Sequence, residues 1–203
     1  MGFFDRNRHQ LAERGINPSR LPPGQYHTDR FPVLHVGRVP KYPELSGYTV
    51  EITGLVDRPT TLTWTELMAL PALEVTTDIH CVTKWSKFDT RWKGVPIPTL
   101  LDLAGIQAAA THVMFHCEFG YSTNLPLADV LAPHIALLAY EYEGQPLEPD
   151  HGYPLRSFVP HLYLWKSAKW IRSIELMAGD RPGFWEQNGY HMYGTPFLEQ
   201  RFW

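Results

Sequence analysis

Apolar and polar positions alternate over Tyr48–Leu55 (YTVEITGL), which predicts a strand with one buried face. Thr111–Phe119 (THVMFHCEF) repeats that period, and Glu74–Val82 (EVTTDIHCV) is rich in β-branched residues. Both read as strands, and Glu74–Val82 delivers Cys81 at its end. His134–Tyr142 (HIALLAYEY) is apolar enough for a buried strand, and Trp170–Met177 (WIRSIELM) reads as the last one. Two short helices stand between the strands. Thr63-Trp64-Thr65-Glu66 has capping-box spacing and opens a helix through Leu70, before Pro71. Pro98–Ala104 (PTLLDLA), stopped by Gly105, is the other. Asp57-Arg58-Pro59 and Glu143-Gly144-Gln145-Pro146 are turns.

The other segments carry little periodicity. Residues 1–30 are polar and Pro/Arg-rich and predict an extended amino-terminal arm. Phe31–Pro43 reads as an ordered loop, Glu148–Tyr163 as irregular, and the stretch from Ala178 as a Gly- and aromatic-rich loop. No internal repeat or linker divides residues 31–203, which are expected to form one α+β domain of mixed β-sheets with short helices.

Composition sharpens this picture. With 44% hydrophobic and 19% charged residues, the 203-residue chain can bury a sizeable core, which argues against wholesale disorder. A net charge of −3 gives no overall attraction to nucleic acid, so any anion site must be local. No apolar run reaches the roughly eighteen residues of a membrane span. The start MGFFDRNRHQLAERG lacks the apolar centre of a secretory leader, which points to a cytoplasmic protein. Walker, dinucleotide and Gly-x-Ser-x-Gly fingerprints are absent.

Three features carry chemistry. Cys81 lies in Ile79-His80-Cys81-Val82-Thr83-Lys84-Trp85-Ser86, where neighbouring His80 and Lys84 would favour the thiolate that binds metal. An inert buried cysteine is the competing reading. The repeated pairs His80-Cys81 and His116-Cys117 offer zinc-type ligands, although adjacent strand residues face opposite ways. His151, Arg156, His161, Lys166, Lys169 and Arg172 form a cationic cluster within an aromatic, Pro-containing stretch, a suitable cradle for a phosphate.

HCVTKWSKFDTRWKGVPIPTLLDLAG resembles the molybdenum-ligating segment of the sulfite oxidase family, nearest its haem-free bacterial members such as the methionine sulfoxide reductase catalytic subunit. Its Cys-Val-x-x-Trp-Ser motif is filled by Cys81, Val82, Trp85 and Ser86. HGYPLRSFVPHLYLWKSAKWI resembles the pterin-binding stretch of that family, through Gly152, Pro154, Arg156, Val159, Pro160, Lys166 and Lys169. FGYSTNLPL, Phe119–Leu127, resembles the segment beside the metal.

The resemblance implies the molybdopterin-binding fold of that family and a Mo-molybdopterin cofactor with Cys81 as the protein's metal ligand. It also implies that Arg156 and Lys169, with backbone groups of Ser167 and Ala168, hold the pterin phosphate. His35 and His151 would contact the pterin, and Cys117 would line its pocket or pack in the core. Lys84, Arg91 and Tyr121 would face a small-molecule substrate, an S-oxide or a sulfur oxyanion. With neither haem motif nor nicotinamide fingerprint, electrons would pass to or from a separate redox partner. A zinc-dependent hydrolase and a non-enzymatic anion-binding module are the alternatives.

Overall fold

The computed structural model describes residues 2–131 and 133–202. Two sheets carry the fold, and the elements in chain order are as follows. Helix α1 (Phe3–Glu13) precedes β1 (Tyr26–His27), β2 (Thr49–Gly54), β3 (Thr60–Thr63), α2 (Trp64–Ala69), β4 (Leu73–His80) and β5 (Trp85–Pro96). Then come α3 (Ile97–Ala104), β6 (His112–Cys117), β7 (Ser122–Pro126), β8 (Leu137–Tyr142) and β9 (Gln145–Pro146). β10 (Arg156–Phe158), β11 (Ile171–Met177) and α4 (Phe184–Gln187) complete the set. The architecture is α+β, as the pattern of short strands and helices predicts.

In the first sheet β5 is the organiser. Antiparallel β4 covers one edge, from Leu73 opposite Gly94 to His80 opposite Ser86. The other edge is divided between β1, parallel at Tyr26 opposite Trp85, and β8, antiparallel at Val95 opposite Leu138. β10 and β9 both extend β8. At Gly94 the strands approach so closely that a Cβ would lie 2.2 Å from the Leu138 carbonyl oxygen, so no larger residue fits this shifted register. The second sheet runs β3-β2-β11-β6-β7. Val50 and Ile52 of β2 are fully buried while Glu51 points outward, the alternation the sequence shows.

The capped helix forms as expected: Thr63 Oγ1 accepts from the Glu66 amide at 3.3 Å, and Glu66 Oε2 accepts from the Thr63 amide at 2.8 Å. The extended-arm reading needs correction over Phe3–Glu13, which forms α1. Leu11 of that helix packs with Leu21 and Phe88, a small apolar cluster assembled with residues distant in the chain. The longest strand, β5, was not among the predicted elements. Its inward positions Phe88, Thr90, Trp92 and Gly94 mix apolar with polar and small residues, so hydrophobic pattern alone passes over it. β3, β7 and β10 were also missed. Each has five residues or fewer and depends on its sheet neighbours rather than on its own periodicity.

Candidate active site

Cys81 sits at the tip of the β4–β5 hairpin. Its amide donates to the Trp85 carbonyl at 2.9 Å, and the Lys84 amide donates back to the Cys81 carbonyl at 3.0 Å. Lys84 takes the left-handed backbone conformation, φ 76°, that this tight turn requires. Two distant segments hold the tip. Gln25 Nε2 donates to the Cys81 carbonyl at 3.0 Å, and Arg201 Nη1 donates to the Val82 carbonyl at 2.6 Å. The strand-end placement expected for Cys81 is therefore met, with a second strand leaving directly behind it.

Beside the tip lies a cavity of about 380 Å³. Of the candidate residues, Cys81, His35, Tyr121, His151, Arg156, Ser167, Ala168 and Lys169 all line it. Cys117, Lys84 and Arg91 do not. Cys117 lies in the main core, where burial drives its thiol far above the usual range. Exposed Lys84 has its Nζ 6.0 Å from the Phe4 ring, and exposed Arg91 stands on β5 opposite Thr76. The substrate-facing role expected of Lys84 and Arg91 has no support in this geometry.

The electrostatics of the thiol also differ from the expectation. His80 donates no charge: burial lowers its pKa to about 4, and its Nδ1 pairs with Ser86 Oγ at 2.8 Å. Burial raises the Cys81 pKa, partly offset by the Thr83 hydroxyl, which donates to Sγ at 3.1 Å, and by Arg201 and Lys169. The free thiol is thus protonated at neutral pH, and a metal ion bound there would displace its proton.

The cationic cluster separates into three parts. Lys166 is fully buried against Glu186 at 2.6 Å, with further bonds to Asn124 and Met192, and pins the carboxy-terminal segment. His161 pairs with Asp129 at 2.9 Å, and Arg172 lies against Glu118. His151, Arg156 and Lys169 remain at the cavity.

The buried Arg156 guanidinium bonds only to carbonyl oxygens among the described residues: His151 at 2.9 Å, Ser167 at 2.7 Å and, weakly, Ser157 at 3.5 Å. Burial lowers its pKa to about 10. Lys169 donates to the Leu34 and Asp150 carbonyls, and burial followed by Arg156 lowers its pKa to about 7. Gly152, φ 115°, lets the chain pass beneath both, because a Cβ there would lie 3.1 Å from Arg156 Cβ. A buried guanidinium and a half-buried ammonium, neither in an ion pair among the described residues, have the chemistry to receive an anion. The backbone reading of Ser167 and Ala168 needs adjustment, since their amides already donate to the Leu164 carbonyl and Ser157 Oγ.

The walls are aromatic. Phe31 stacks on His151 with centroids 3.9 Å apart, and Trp185 stacks on Tyr190 at 4.7 Å. The Tyr121 hydroxyl donates to the Trp165 carbonyl at 2.8 Å, and burial raises its pKa well above the ordinary phenol value. Phe184, Trp185 and Tyr190 come from the segment read as loop, which folds back over the cavity. Its density of glycine and aromatic residues was the only signal in the sequence. Among the described residues, two lining side chains carry buried polar atoms without a hydrogen-bond partner, His151 Nδ1 and Trp85 Nε1. A polar heterocycle in the cavity would satisfy both.

The Oxidoreductase molybdopterin binding domain family matches residues 36–185. The chain belongs to the molybdopterin-binding oxidoreductases. It is 49% identical over 183 residues to the uncharacterized oxidoreductase YuiH of Bacillus subtilis, covering 90% of this chain and 92% of that protein. It is 31% identical over 199 residues to sulfite oxidase of Arabidopsis thaliana, covering 81% of this chain but only 51% of that enzyme. The sulfane dehydrogenase SoxCD of Paracoccus pantotrophus shares the fold, with a TM-score of 0.62 at 21% identity over 72% of this chain and 41% of that one. This molybdopterin-binding oxidoreductase is thus of the sulfite oxidase type, and its cofactor is Mo-molybdopterin.

The residues present fit that cofactor. Two cations outside any ion pair, two polar atoms unpartnered among the described residues and the soft Cys81 thiol all border one cavity. By contrast, His80, Cys81, His116 and Cys117 form no zinc-type cluster among the described residues, and His116 is paired with Glu175 at 2.8 Å. No helix among them is long and apolar enough to cross a membrane.

His151 makes the oxidoreductase acid-sensitive. Burial, then Arg156 and Lys169, lowers its pKa from 6.5 to about 4. The unfolded chain takes up this proton near pH 6.5, so the stabilisation from neutral His151 is complete above that pH and is lost as pH falls towards 4. His151→Asn is expected to show a smaller drop in Tm between pH 7 and pH 5 than the parent. Scanning calorimetry at both pH values checks this, and identical drops would remove His151 from the account.

Proposed function

We propose that this oxidoreductase transfers an oxygen atom to or from an uncharged small molecule, of which an S-oxide is the best candidate, at molybdenum ligated by Cys81. The observation that carries the substrate reading is the lining of the cavity. Once Arg156 and Lys169 are assigned to the pterin phosphate, no permanently charged cation remains among the lining residues, and the lining carboxylate Glu118 is already paired with Arg172. A sulfur oxyanion would find no free cation to bind it, whereas a neutral sulfoxide would meet aromatic faces. The motif resemblance to methionine sulfoxide reductase catalytic subunits supports the same class.

The bound cofactor would supply the oxygen-atom and electron transfer. The chain's own residues position and enclose. The hairpin tip holds Sγ through the backbone, and Arg156 and Lys169 anchor the phosphate. His151 Nδ1 and Trp85 Nε1 bond the pterin, while Tyr121, Trp165, Trp185 and Tyr190 exclude water. Reduction of a sulfoxide consumes electrons and protons and releases water. The electrons come from a separate redox partner, since neither haem motif nor nicotinamide fingerprint occurs in the chain.

The test is steady-state turnover of the cofactor-loaded enzyme with artificial dyes. A neutral alkyl sulfoxide with a reduced dye is expected to give kcat/KM at least about tenfold above sulfite with an oxidised dye, a difference of about 1.4 kcal/mol. Faster turnover of sulfite would overturn the substrate assignment.

A further inference from the structure

We propose that Asp129, His134 and His161 form a binding site for a divalent transition-metal ion of the zinc class, separate from the active-site cavity, which none of the three lines. Three segments meet there. Asp129 stands in the 3-10 turn Leu127–Val130 that follows β7, His134 in the loop before β8, and His161 in the loop after β10. Their ligand atoms all lie within 4.8 Å of one another. His161 Nε2 is 2.9 Å and His134 Nε2 3.9 Å from the same oxygen, Asp129 Oδ1. The imidazole rings are stacked, 4.4 Å between centroids and tilted by 23°.

That geometry is poorly served by protons alone. One hydrogen joins His161 to Asp129, which leaves His134 Nε2 beyond hydrogen-bonding distance of the carboxylate it faces. A metal ion instead accepts lone pairs from both nitrogens and the carboxylate at once. Zinc holds such ligands at about 2.0–2.2 Å, which in a tetrahedral shell separates the ligand atoms by about 3.3 Å. The observed spacings, from 2.9 Å upward, enclose this value, so closing the site requires only small side-chain movements.

Donor chemistry selects the ion: two imidazoles and one carboxylate suit zinc and its neighbours, whereas magnesium and calcium prefer oxygen. Exposure grades from the floor to the mouth, with the side chains of Asp129, His161 and His134 at 6%, 26% and 43%. The ion therefore enters past His134, and water completes its shell. The Tyr193 hydroxyl donates to Asp129 Oδ1 at 2.8 Å and orients the carboxylate from outside. On binding, the metal takes the place of the hydrogen between His161 Nε2 and Asp129, and the neutral imidazole carries its N–H on Nδ1. Tyr193 belongs to the segment that closes the cavity, and the next residue, Gly194, accepts the Tyr163 amide at 2.9 Å. An ion would thus tie this segment to the loop carrying His161.

Cofactor-loaded protein, freed of loose metal by a chelator, is titrated with zinc alone and with cobalt alone. One equivalent of zinc is expected to bind by calorimetry and to raise Tm. His134→Ala should weaken binding by at least about tenfold, the lower end of what losing even an outer partner of a metal ligand costs. Its metal-free Tm should equal that of the parent, because His134 is half-exposed and makes no short hydrogen bond to Asp129. Bound cobalt should lack a thiolate charge-transfer band, and Cys81→Ser should bind zinc as the parent does. Equal zinc affinity in parent and His134→Ala, no binding at millimolar zinc, or a thiolate band on cobalt would each overturn the proposal.

Discussion

Cys81→Ser is expected to lower dye-coupled turnover by more than about a hundredfold, beyond what is usual for losing a residue that merely supports a metal ligand. The substitution exchanges a soft sulfur for a hard hydroxyl that binds molybdenum poorly. It leaves the hairpin intact, because the bonds that shape the tip run through the backbone of Cys81, Lys84 and Trp85 and through Gln25. Folding and pterin content should therefore stay near the parental level while turnover collapses. Cys117→Ser is the companion variant. It alters a core side chain outside the cavity and should cost about 1 kcal/mol of stability while keeping molybdenum. Metal analysis and turnover of both variants decide the assignment, which fails if Cys81→Ser turns over like the parent or if Cys117→Ser alone loses molybdenum.

Arg156→Ala is expected to deplete the purified protein of pterin. The guanidinium is buried and bonded only to carbonyl oxygens among the described residues, and Lys169 beside it has Asp150 as a through-space counter-charge but makes no ion pair among those residues. A bound phosphate would receive a fully desolvated charge-assisted contact, and truncating one side of such a pair costs about 2–5 kcal/mol. Arg181→Ala is the control, since that side chain is 54% exposed and paired with Glu175. Pterin fluorescence after acid release, normalised to folded protein, should rank Arg156→Ala well below Arg181→Ala. Equal contents would show that the phosphate anchor lies elsewhere. Lys169→Ala guards against a folding artefact, as Lys169 bonds only the Leu34 and Asp150 carbonyls among the described residues and should still deplete pterin when removed.

What the linear sequence determined about this protein is local or motif-borne. The alternation around Val50 and Ile52, the Thr63 cap and the stop at Gly105 specify their elements through neighbours three or four residues away, and each appears as read. The two motifs around Cys81 and Arg156 pointed to the family that residues 36–185 match, because the soft metal ligation and phosphate binding proposed for them call for those residue types. Tertiary structure decided the rest. Strand β5 exists because β4, β1 and β8 satisfy its backbone, not because its own pattern is apolar. Lys166 and Arg156 are alike in sequence, yet Glu186, twenty residues beyond Lys166, neutralises one and leaves the other for an anion. Lys84 and His80 adjoin Cys81 in the chain without charging its surroundings, since the turn aims one outward and burial keeps the other neutral. Charge compensation and desolvation act through space over a few ångströms, and only the folded chain settles which groups come that close.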